Sequence, residues 1–129
     1  MGAIRETVSL TGTISSVDLL AFFDTGSDYN VIRPRLSNGM TIDELGVVEY
    51  LEPVSLILPG EDESALDERR TVESYDFALF KWIDILGKRI YEPAFVLMEI
   101  GDDMLVGHGI MQRIGIGLDL KYHRLILQM

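Results

Sequence analysis

Short apolar runs separated by turn residues restrict the fold of this chain more than any other feature. Thr7–Leu10 and Val17–Phe23 open the series; Val54–Leu58, Val72–Ile83, Ala94–Glu99, Gly117–Leu120 and Leu125–Leu127 continue it. They are rich in the β-branched and apolar residues that suit a pleated, half-buried strand. Pro53, Pro59-Gly60, Gly87, Pro93 and Gly101 punctuate them. This spacing predicts an all-β barrel or sandwich. Two short helices interrupt it: Thr41-Ile42-Asp43-Glu44 forms a capping box with Gly46 as its stop, and His108–Ile114 ends at Gly115. Neither is long enough to organise a helical fold. Gly60–Arg70 is polar, highly charged and without periodicity, the pattern of a solvated loop.

The 129 residues suit one domain spanning 1–129, large enough for a core without covalent staples. The chain has no cysteine, which removes disulfides, thiol nucleophiles and thiolate metal sites. With 21 acidic against 11 basic residues the net charge is −10. A polyanion needs Lys and Arg to displace its counterions, so neither nucleic acid nor an anionic membrane surface is an expected partner. The first residues lack the apolar core of a signal peptide, Glu6 stands where myristoylation needs Ser or Thr, and no apolar run approaches the ~20 residues of a membrane span. The expectation is a soluble intracellular, cytoplasmic protein.

Leu20-Ala21-Phe22-Phe23-Asp24-Thr25-Gly26-Ser27-Asp28 carries the chemistry. An apolar strand runs straight into a carboxylate, which is unfavourable unless that group is hydrogen-bonded or protonated. Thr25 and Ser27 supply hydroxyls, and Gly26 permits a close backbone approach. The bland alternative is a strand ending in an Asx-turn. Other chemistries lack their motifs: two histidines without a recurrent carboxylate pair make no metal site, and Gly-x-Ser-x-Gly, P-loop and Gly-x-Gly-x-x-Gly signatures are missing. Tyr75, Phe77, Leu79 and Trp82 read as core or groove packing.

The Asp24 segment resembles the active-site loop of retropepsin-like aspartic proteases, in which an apolar strand leads into Asp-Thr-Gly and then Ser or Ala. Met104-Leu105-Val106-Gly107-His108-Gly109-Ile110-Met111 resembles the family's second signature, an apolar pair and Gly before a short helix. Ile114–Asp119 and Leu125–Leu127 resemble its closing strands. The resemblance implies an aspartic endopeptidase with a retropepsin-like barrel, one lobe per chain, and one short C-terminal helix.

Such chemistry needs two carboxyl groups sharing a proton, one activating water and the other polarising the scissile carbonyl. The chain has one Asp-Thr-Gly, so the resemblance implies a homodimer that joins two copies of Asp24, with a peptide or protein substrate and no metal or organic cofactor. By the same resemblance Thr25 braces the two loops across the axis, Gly26 offers its carbonyl to substrate, and Ser27, Asp28 and Tyr29 line the groove. Val106, Gly107 and His108 support the site.

Two expectations are particular to this chain. A Ser27 hydroxyl donating to ionised Asp24 would favour the charged form and an acidic optimum. His108 stands where many relatives have an Arg paired with the acid matching Asp28; protonated, it would form a pH-sensitive brace, and otherwise it is a histidine near a helix start with no partner. Val54–Leu58 and Val72–Phe80 are the expected arms of a flap with the charged Gly60–Arg70 at or near its tip. The alternative function is an inactive dimerisation or peptide-binding module on the same fold; an unrelated β-barrel binding protein is the third.

Overall fold

Burial alternates strictly along Ser16–Asp24, with Val17, Leu19, Ala21 and Phe23 inward and Ser16, Asp18 and Leu20 outward. This is the period-2 signature of a strand with one face on the core. The computed structural model describes residues 3–58, 71–122 and 124–127; the expected flap tip at Gly60–Arg70 lies outside them. In chain order the described elements are β1 Ala3–Thr11, β2 Ser16–Asp24, β3 Val31–Ile32, α1 Ile42–Leu45, β4 Glu49–Leu58, β5 Thr71–Leu79 and β6 Trp82–Ile85. Then follow β7 Lys88–Tyr91, β8 Ala94–Leu97, β9 Met104–Val106, α2 His108–Ile114, β10 Ile116–Asp119 and β11 Arg124–Leu127. The chain is all-β with two short helices among the described residues.

Nine strands form one curled sheet in the order β4-β5-β8-β3-β9-β2-β1-β6-β7, and β10 pairs with β11 separately. Most neighbours are antiparallel, but β9 runs parallel to β2, and β8 parallel to β3. The core inside the curl contains Leu10, Phe23, Ile32, Leu45, Phe80, Ile83, Phe95 and Met104, with Phe80 and Phe95 edge-to-face at 5.8 Å. Each such side chain contributes about 1.5–3 kcal/mol by leaving water.

Both expected helices form. Thr41 caps α1 reciprocally with Glu44, and α2 closes at Gly115 in the left-handed conformation. The β4–β5 arms pair from Glu49↔Leu79 to Leu58↔Thr71, with a register shift between Leu51 and Val54 where Pro53 interrupts the ladder.

Three strand expectations need correction. Val72–Ile83 is two strands, because the chain turns at Phe80-Lys81: Phe80 N–H donates to Pro93 O and Lys81 N–H to Thr11 O, both at 3.0 Å. No Gly or Pro marks this corner. β3 and β7 were not among the expected strands; one has two residues, and the other buries only Ile90. The last runs shift to Ile116–Asp119 and Arg124–Leu127.

Candidate active site

Asp24 is the last residue of β2, held by β1 on one side through Ala3↔Asp24. On the other side β9 runs parallel, with Phe22↔Leu105 and Phe23↔Val106 in register. Phe23 and Val106 are fully buried, so the strand end beneath Asp24 is anchored in the core while the carboxylate itself is half-exposed. The chain then crosses the end of β9 and returns beyond it as β3, where Val31↔Leu105 and Ile32↔Met104 pair antiparallel. Residues 25–30 therefore arch over the point where β9 becomes α2. The two sequence signatures, some eighty residues apart, meet at that point.

Within the arch, Asp24 Oδ1 accepts the Gly26 N–H at 2.9 Å. That bond aims the carboxylate along the loop and leaves Oδ2 uncommitted by any described side chain. Thr25 and Gly26 are exposed. The Ser27 hydroxyl donates to Tyr29 O at 2.7 Å and accepts the Tyr29 N–H at 3.3 Å. It does not turn to Asp24, so the expected hydroxyl–carboxylate bond is corrected: Ser27 shapes the loop because the backbone of Tyr29 lies within its reach and satisfies both its donor and its acceptor.

Gly107 and His108 clamp the arch from below. Ser27 O accepts both the His108 N–H and, with the proton on that nitrogen, His108 Nδ1, each at 3.1 Å. His108 therefore has a partner, and that partner is a carbonyl. Asp28 Oδ1 lies further off, at 3.8 Å, on a side chain that is 85% exposed. Gly107 is required sterically: a Cβ there would stand 2.6 Å from Ser27 O and 2.9 Å from Tyr29 O. Asp28 and Tyr29 border a cavity of about 360 Å³ that runs to Phe77, Ile110 and Arg113.

Asn30 was not among the expected site residues, yet it ties the arch to three elements. Its Oδ1 accepts the Gly107 N–H at 2.9 Å, its Nδ2 donates to Ala94 O at 3.3 Å, and its carbonyl accepts the Val96 N–H at 2.8 Å. A polar residue directly before a buried apolar pair is the signal that could have marked it. Among the described residues no three His, Asp or Glu side chains gather as a metal-binding group, and no helix is long and apolar enough to cross a membrane.

No protein-family model matches the sequence, and no curated protein matches it either. The crystal structure of the retroviral protease-like domain of Ddi1 from Leishmania major is similar, with a TM-score of 0.52 and 16% identity over 98% of this chain and 89% of that one. An identity that low concerns the backbone path alone. This chain has the retropepsin-like fold.

Proposed function

We propose that the protein is an aspartic endopeptidase, with Asp24 from each of two subunits activating one water. The observation that carries this reading is the placement of Asp24: a carboxylate at the end of a core-anchored strand, oriented by the Gly26 N–H and held over the Gly107–His108 turn. Preorganised polar groups of this kind are what proton-transfer chemistry needs. One copy holds one such carboxylate, so a shared proton requires a second copy on a twofold axis. One Asp24 then takes a proton from water as the water attacks the scissile carbonyl. The other, protonated, donates to that carbonyl's oxygen and a proton later passes to the leaving amine. The substrate lies extended in the groove, and the β4–β5 hairpin covers it.

The test is digestion of a peptide library from acidic to neutral pH, with Asp24→Asn as control and a pepstatin-type inhibitor as probe. Cleavage that is lost in Asp24→Asn and blocked by the inhibitor is the expected result. A stable dimer that binds peptides without cutting them at any pH overturns it in favour of the binding module.

A further inference from the structure

Asp24 and the cavity that begins at Asp28 and Tyr29 are joined by one face of the sheet. Burial along β2 puts Phe22 and Asp24 on the side away from Phe23 and the core. The register carries that side across the sheet: Phe22↔Leu105, Leu105↔Val31, Val31↔Val96 and Val96↔Phe77 are successive partners. Directly paired residues share a face. An apolar row therefore leads from beside Asp24 to Phe77 on β5, one arm of the β4–β5 hairpin. Val31 and Val96, in the middle of the row, are buried outside the core cluster within the curl. Phe77, at its end, is half-buried and lines the cavity of about 360 Å³. β2 and β5 are four strand positions apart. That is about 19 Å along the sheet, or about four to six residues of extended chain.

The cavity is apolar at depth and mixed in charge at its rim. Ile110 is buried, Phe77 and Ala94 are half-buried, and the Tyr29 ring borders them. The Asn30 amide is committed to Gly107 N–H and Ala94 O. Asp28 and Glu92 bring negative charge to the lining and Arg113 positive charge, all three on exposed residues. An ionised side chain of either sign meets a like charge on entering. An uncharged apolar one meets no such penalty and leaves water against Phe77 and Ile110.

We propose that Phe77 is a specificity-determining residue of the Asp24 site: with Tyr29 and Ile110 it receives a bulky, uncharged apolar side chain of the substrate, about four to six residues from the scissile bond. The inference rests on the endopeptidase reading. Binding at this distance touches no reacting atom; it holds the extended chain along the arch while the bond beside Asp24 is attacked. A twofold dimer presents one such cavity per copy, so the preference recurs on both sides of the scissile bond.

The test is a series of sixteen-residue peptides with a Leu-Phe centre and Gly and Ser elsewhere. Phe, Ser, Asp or Lys is placed four, five or six residues from that centre. The ratio of kcat/KM between the Phe and Ser members is expected to reach at least tenfold at one of these positions, with Asp and Lys no better than Ser. In Phe77→Ala that ratio falls to about one; because it compares two peptides on one protein, a loss of folded enzyme does not move it. Arg113→Glu, at an exposed residue, leaves only acids at the rim and is expected to raise the Lys-to-Asp ratio about tenfold. The same ratios are read as dissociation constants on Asp24→Asn protein, by fluorescence anisotropy of the labelled peptides. If they are found there while no peptide is cleaved by the wild type, the catalytic reading fails and the subsite stands. A Phe-to-Ser ratio of about one at all three positions, or one that persists in Phe77→Ala, overturns the proposal.

Discussion

At the scale of single residues, the Asp24 arch depends on three side chains or their absence. Ser27 satisfies the Tyr29 backbone, so Ser27→Ala is expected to lower stability by about 1 kcal/mol. It should leave the acidic limb of any pH–rate profile where it was, because the hydroxyl does not face Asp24. Chemical denaturation and a pH profile read the two effects separately. Gly107→Ala drives a methyl group into two backbone carbonyls; relief requires the arch to lift, a loss of about 2 kcal/mol or more together with any cleavage. Asn30→Ala strands the part-buried Gly107 N–H and should destabilise by about 1–3 kcal/mol. The two signatures were legible because each is a local pattern with a chemical reason for its order. Asn30 was not, because its partners Ala94 and Gly107 lie 64 and 77 residues away, and no local spacing records them. The Ser27 expectation failed for a related reason: proximity in sequence to Asp24 does not fix which acceptor a hydroxyl reaches first.

At the scale of elements, helix ends were read most accurately. The Thr41–Glu44 capping box and the Gly115 stop are written within four or seven residues and need no tertiary help. Strands with an alternating face were legible for the same reason. The turn at Phe80-Lys81 was not, since it is imposed by Thr11 O at the end of β1 and Pro93 O in the β7–β8 turn, backbone groups distant in sequence. β3 and β7 are too short to carry a period. The small helix α1 does more than its four residues suggest, because Leu45 and Gly46 hold the β1–β2 turn through their carbonyls. Thr41→Ala removes the cap and should cost about 1 kcal/mol. Hydrogen exchange should then rise at Thr13, Ile14 and Ser15, whose N–H groups bond to that helix end, and remain unchanged at Phe23.

The whole molecule is governed by charge and by topology. At −10 per chain, two copies repel on meeting. If activity resides in a dimer, its dissociation constant should fall as salt rises from about 0.05 to about 1 M, as the screening length shrinks from over 10 Å to about 3 Å. It should fall again as pH is lowered and carboxylates take up protons. Sedimentation equilibrium measures both, and a dissociation constant that rises with salt would contradict this account. The topology has a consequence in time. β9 is late in the chain yet lies between β2 and β3, which come early. During synthesis the Asp24 arch therefore has nothing to close upon until residues 104–108 emerge, more than seventy residues after it. The Asp24 arch is, by strand order alone, among the last parts to be assembled, and a polypeptide interrupted before Gly107 carries the motif without the clamp that holds it in shape.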